Sequence, residues 1–179
     1  DVYKRQVLDA IEHANLKIAE LGIGAGTTVA VAEINGNRLR TYHVGDSQIM
    51  LVGQKGKIKL TTKSHSPVGY AIEAGLLDRD QALTHKERHL VSNLVGMSEM
   101  SIELGCAIEL SPHDTLVIAS DGLFDNLLED EIVEFCRKGQ LLTIARALAE
   151  GCRGRMQSGR TPSKPDDLTF IAYRRRLSA

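Results

Sequence analysis

The chain has 179 residues, 42% of them hydrophobic and 25% charged, with a formal net charge of −1. That composition suits one globular core, and the near-zero charge gives no global reason to bind nucleic acid or an anionic membrane. Cys106, Cys136 and Cys152 are odd in number and lack close pair spacing, which argues against a disulfide framework or a zinc knuckle and for a reducing cytoplasm. No apolar run approaches the roughly 20 residues that span a bilayer.

The first residue is Asp1, and helical periodicity begins almost at once, with Val7, Leu8, Ile11, Ala14, Ile18 and Leu21 on one face. We therefore expect strands, and any ligands they carry, upstream of this helix. Gly22-Ile23-Gly24-Ala25-Gly26 breaks the pattern before a β-branched run over 27–34, and Asn35-Gly36 signals a hairpin into 39–44. Runs over 47–52 and 57–61 are expected to continue an antiparallel meander. Two short helical pieces follow from Pro67, with a break between Gly75 and Asp78. Strands are read over 106–110 and 115–119, amphipathic helices over 128–135 and 141–156, and a last strand over 168–173. Between them, 157–164 reads as a polar loop, and Arg174-Arg175-Arg176 as a frayed basic tail. Antiparallel strands with segregated helices predict a single α+β domain over 1–179, sheet on sheet with helices outside.

Acids close several of the apolar strands. Asp121 and Asp125 follow Val117-Ile118-Ala119-Ser120, Asp46 follows Val44-Gly45, and Asp166 precedes the last strand. Hard carboxylate oxygens delivered by strand ends are the chemistry of Mg²⁺ or Mn²⁺ rather than zinc. Each has a plainer alternative: Asp121-Gly122 as a turn, Asp125 as a cap for the next helix, and Asp167 exchanged with Asp166 by a one-residue shift. His85 and His89 stand four apart on a presumed helix without a third ligand, so a solvated face is the better reading. His65 reads as a capping or surface-packing residue more readily than as a proton donor. Gly24-Ala25-Gly26 precedes a strand instead of opening a helix, so it is not a dinucleotide cradle.

In order along the chain, the motifs resemble those of the metal-dependent protein phosphatases, the PPM or type-2C family. Gly24-Ala25-Gly26-Thr27-Thr28 is similar to the family's Gly-x-Gly-Thr-Thr, and Val44-Gly45-Asp46-Ser47 to its Val-Gly-Asp-Ser-Arg. His65-Ser66 with Glu73-Ala74-Gly75 is similar to the bacterial Asp-His-Ser and Ala-Gly segment. Ser120-Asp121-Gly122-Leu123-Phe124-Asp125 matches Ser-Asp-Gly-x-x-Asp, and Asp166-Asp167-Leu168-Thr169 resembles Asp-Asn-x-Thr.

The resemblance implies an αββα sandwich and hydrolysis of phosphoserine and phosphothreonine in phosphoproteins, including targets of a Ser/Thr kinase, by water activated between two Mn²⁺ or Mg²⁺ ions. It implies that Asp121 and Asp166 hold a paired ion, and that Asp121, Asp125 and Asp46 form a third, looser position; no residue beyond the ligands is assigned to catalysis. The family's Glu-Asp pair and Asp-Gly-x-Gly-Gly motif normally precede the helix with which this sequence opens and are not present ahead of it, so the chain alone is expected to lack its N-terminal strands, to bind metal weakly and to be impaired or inactive. A pseudophosphatase or regulatory module of the same fold is the alternative. Gln48, Ser64 and Asn93 depart from the usual Arg, Asp and Arg, which bears on substrate handling.

Overall fold

The computed structural model describes residues 2–160 and 162–175, so Thr161 of the polar loop and Arg176 of the basic tail lie outside the described residues. Helix α1 (Val2–Ala19) leads into strands β1 (Val29–Asn35), β2 (Arg38–Val44), β3 (Gln48–Val52) and β4 (Ile58–Thr61). Short helices α2 (Pro67–Glu73) and α3 (Arg79–Ala82) follow, then strands β5 (Glu103–Leu104), β6 (Ile108–Glu109) and β7 (Thr115–Ala119). The single turn α4 (Asp121–Phe124), helices α5 (Glu129–Cys136) and α6 (Leu141–Ser158), and strand β8 (Phe170–Tyr173) complete the order.

Two four-stranded sheets form the centre. One runs β1-β2-β5 with β6 also on β2; the other runs β4-β3-β7-β8, and every named pairing is antiparallel. The period-2 alternation of the strands sorts their side chains into layers. Leu39, Ile49, Leu51 and Leu116 meet between the sheets, joined by Ala30, Ala32, Ile34 and Ile118. Met50, Val52, Val117 and Ala119, on the other face of the second sheet, pack against Leu123, Ile132, Cys136, Ile144, Leu148 and Cys152. Tyr42 and Val44 point outward from the first sheet onto Ile11 of α1. The result is the expected αββα sandwich.

The expected meander is not continuous. Val44 of β2 pairs with Val29, whereas Gln48 of β3 pairs with Ala119, so residues 45–47 carry the chain from one sheet to the other. Alternation reports which faces are buried but not which sheet a strand joins, and this crossover was invisible for that reason. Gly45 makes it feasible: its φ is +102°, and a Cβ there would lie 2.4 Å from Thr28 Cγ2.

Other boundaries also move. His85 and His89 lie on exposed turns beyond α3 instead of on a helix. Leu21 lies past the end of α1, 59% exposed, while Ala14 lines an apolar cavity of about 520 Å³ between α1 and β1. Arg174 is not frayed. It donates to the carbonyls of Gly139 (2.6 Å) and Cys136 (3.2 Å) and to Thr115 Oγ1 (2.6 Å), which completes the C-terminal end of α5 with a cation.

Candidate functional site

At one end of the second sheet, β7 stops at Ala119 and the chain turns sharply into α4, which places Asp121 in the first turn and Asp125 at the C-cap. Glycine is required between them. A Cβ on Gly122 would stand 2.3 Å from the carbonyl oxygen of Asp167, so only glycine lets α4 approach the segment leading into β8. Asn126, fully buried, locks that approach. Its Nδ2 donates to the Gly122 carbonyl (3.0 Å) and the Lys164 carbonyl (2.8 Å), and its Oδ1 accepts from the Lys164 amide (2.8 Å). A lone amide within Leu123-Phe124-Asp125-Asn126-Leu127-Leu128 was the available sequence signal, since a buried amide must be paired.

The outcome is a cluster of the expected acids around a cation that no motif announced. Lys164 Nζ donates to Asp121 Oδ2 (2.5 Å) and Asp125 Oδ2 (2.9 Å) and stands 3.3 Å from Asp166 Oδ2. Its side chain is 19% exposed, against 38% for that of Asp166 on the outer side. Burial works against the ammonium, but the hydrogen bonds it donates to Asp121 and Asp125 outweigh that and hold Lys164 above its ordinary pKa. Burial pushes the Asp125 carboxyl above the usual carboxylate range, with the Lys164 hydrogen bond offsetting part of the rise. Asp46, on the sheet-to-sheet crossover, is raised by burial and then by the negative charge of Asp121.

Asp46, Asp121 and Asp125 line one cavity of about 410 Å³ with Gln48, Lys63 and Arg88. Asp166 meets the same ammonium from outside that lining. All four sequence-predicted acids are thus gathered at one end, from the 45–47 crossover, α4 and the entry to β8. The cap reading of Asp125 does not hold, because the N-terminal amide of α5 at Leu128 donates to Glu131 Oε2 (2.8 Å) instead. Asp167 sends its carbonyl toward Ser120 Oγ (3.3 Å), and its amide donates to Asp166 Oδ1 (2.8 Å), consistent with a turn role.

The donor set fits a hard divalent cation. It consists of carboxylate oxygens, of which those of Asp46 and Asp125 are held above the usual range by burial and by the charge of Asp121, with an ammonium standing in as counter-charge.

A second cluster, His43, His65 and Glu103, brings ligand-type atoms within 4.8 Å of one another. Its hydrogen bonds point elsewhere. Asn93 is oriented by Ser101, whose amide donates to Oδ1 (3.1 Å) and whose carbonyl accepts from Nδ2 (2.7 Å). Asn93 Nδ2 and the Gly45 amide therefore both donate to His65 Nδ1, at 2.8 and 3.1 Å, so the ring proton sits on Nε2, facing Glu103 Oε2 at 3.3 Å. A metal there would have to displace that proton. His43 donates Nε2–H to the Lys63 carbonyl (2.6 Å) and stacks on His65 with ring centroids 4.4 Å apart.

His65 is 5% exposed and caps nothing; Ser66 caps α2. Its amide also donates to the Gly45 carbonyl (3.0 Å), so residue 65 clasps the crossover that carries Asp46 from both sides. Asn93 serves that clasp and is absent from the acid cavity lining, whereas Gln48 and Ser64 are in it. The thiols of Cys136 and Cys152 are pushed up to about 12 and about 11 by burial, which suits packing rather than nucleophilic chemistry.

The sequence profile of the family described as Protein phosphatase 2C matches residues 4–151. Among curated proteins the chain is similar to protein phosphatase PhpP of Streptococcus pneumoniae, 33% identical over 128 residues, which is 68% of this chain and 51% of that protein. Among solved structures it is similar to the S. agalactiae serine/threonine phosphatase, with TM-score 0.75 and 31% identity over 86% of this chain and 65% of that one. It is also similar to the catalytic domain of serine threonine protein phosphatase PstP in complex with two manganese ions, with TM-score 0.70 and 26% identity over 88% of this chain and 65% of that one. The chain spans about half the length of the curated relatives it matches.

Proposed function

Because the chain belongs to the protein phosphatase 2C family, we propose that the whole protein hydrolyses phosphoserine and phosphothreonine in phosphoproteins, with Mn²⁺ or Mg²⁺ held in part by Asp121, Asp166, Asp125 and Asp46. The observation that carries the reading is the convergence of these four acids, from three separate segments, around one positive charge. Divalent ions held there supply Lewis-acid charge to phosphoryl oxygens and lower the pKa of a water for in-line attack.

The chain's own residues do the positioning. Asp121 and Asp166, on α4 and the entry to β8, are held at fixed separation by the Asn126 clasp and the Gly122 contact. Asp125, one helical turn beyond Asp121, and Asp46, on the clasped crossover, supply the looser position. Gln48 lines the cavity beside them and offers an amide, not a charge, to whatever enters. No covalent phosphoenzyme is needed, which agrees with the inert buried thiols. The unpaired cysteines accord with a cytoplasmic setting, and no helix among the described residues is long and apolar enough to cross a membrane.

A second reading, a phosphatase-fold module that binds a partner without turnover, draws on Lys164, which already neutralises part of the cluster. The two are separated by assaying the whole protein on a phosphothreonine peptide with and without Mn²⁺. Turnover that depends on Mn²⁺ and disappears in Asp121→Asn supports the enzyme; turnover unchanged by that substitution refutes the site.

A further inference from the structure

We infer that Lys164 is an internal counter-cation that holds the Asp121–Asp125 position closed and must be displaced before a divalent ion enters, so that this one side chain sets the metal concentration at which the site fills. The inference rests on reading the acid cluster as a metal centre and adds a device that regulates its occupancy.

Three observations carry it. The ammonium holds Asp121 Oδ2 and Asp125 Oδ2, and an ion placed between Asp121 and Asp125 would take oxygens from those same carboxylates. A divalent ion on those carboxylates would stand within a few ångströms of the ammonium, whose like charge repels it, so ammonium and metal compete. The lysine is also placed by construction. Residue 164 is clasped at both its amide and its carbonyl by the fully buried Asn126 side chain, which fixes the root of the stem beside α4. Finally, a lysine stem is flexible and its head group strongly hydrated, so with 19% of the side chain already exposed the ammonium has a route out to solvent that costs no backbone rearrangement.

The consequence is a conformational tax on metal binding. If the ammonium occupies the cluster nine-tenths of the time, the apparent affinity for a divalent ion falls about tenfold, because only the open fraction binds. Removing the charge while keeping the stem abolishes the tax and leaves the acids short of a counter-charge.

The test is calorimetric titration of MnCl₂ into the whole protein and its Lys164→Met, Lys164→Arg and Asp121→Asn variants, with thermal melts in chelator and in Mn²⁺. The expected result is Mn²⁺ binding about tenfold tighter in Lys164→Met, near wild-type affinity in Lys164→Arg, and loss of binding in Asp121→Asn. Lys164→Met is also expected to melt lower than wild type in chelator and to gain more from Mn²⁺, since a ligand that binds only the folded state stabilises by an amount that grows with the logarithm of its affinity. Equal or weaker Mn²⁺ binding by a folded Lys164→Met, alongside measurable wild-type binding, overturns the competition and leaves the metal centre standing. Failure of all four proteins to bind Mn²⁺ overturns the metal centre and the inference together.

Discussion

Gly122→Ala places a methyl group where the structure has no room. The new Cβ would stand 2.3 Å from the Asp167 carbonyl oxygen, 3.1 Å from its carbonyl carbon and 3.4 Å from Leu168 Cα, all backbone atoms that no rotamer change relieves. Restoring ordinary contact requires α4 and the 166–168 segment to part by on the order of 1 Å. Overpacking of that kind costs about 1–3 kcal/mol, and for a chain of this size each kcal/mol lowers the melting temperature by about 2–4 °C. The displaced segments carry Asp121 and Asp166, so Mn²⁺ affinity should fall together with stability. Gly154→Ala is the control: nothing lies within 4 Å of its Cβ and it sits inside α6, so it should gain about 0.5–1 kcal/mol from helix propensity alone. Urea denaturation and calorimetry on both variants decide the matter. A Gly122→Ala chain with the wild-type denaturation midpoint and wild-type Mn²⁺ affinity would refute the close-approach argument.

Asn126→Ala strips one buried and two part-buried hydrogen bonds from the clasp and should cost roughly 1–3 kcal/mol for each backbone group left without water or partner; a urea midpoint unchanged from wild type would show that the clasp is dispensable. The buried thiols carry a pH prediction. Unfolded, Cys136 and Cys152 lose their protons near 9.0, but in the fold burial holds them to about 12 and about 11. The unfolded state then binds fewer protons across that window, so their contribution to stability is fully present below about pH 9 and is lost as pH rises toward 11 and 12. Iodoacetamide at pH 8.5 should label exposed Cys106 alone in the native chain and all three cysteines in denaturant, and native labelling of Cys136 would contradict its assigned burial.

Much of the layering was legible because it depends on period. The continuous apolar run over 115–119 and the 3.6-residue stripe of Leu148 and Cys152 correctly foretold a buried strand and a helix packed on it. The acids were legible because Asp-Gly at the end of an apolar run is a local signal. What escaped was non-local. The passage from β2 to β3 between sheets depends on a close contact between Gly45 and Thr28, seventeen residues apart in sequence, and the two-residue strand β5 is too short to show alternation. Lys164 read as one more polar residue in a loop, because its partners, Asp121 and Asp125, lie about forty residues upstream. Arg174 read as a tail for the same reason: its acceptors belong to the end of another helix.

The pairing order of the second sheet has a kinetic meaning. Residues 48–52 wait for 115–119, and 115–119 in turn wait for 170–173, so β3 and β8 become members of one sheet only through β7. Such distant pairings fold slowly, since the chain loses loop entropy before contact rewards it. Asp166 and Lys164 arrive with the last strand, long after Asp46 and Asp121 have been synthesised. Until β8 docks, the early acids repel one another without the Lys164 counter-charge, and the pairing of Asp121 with Asp166 does not yet exist. The docking of β8 would therefore change the charge of the cluster in one step, bringing a fourth acid and its counter-cation together.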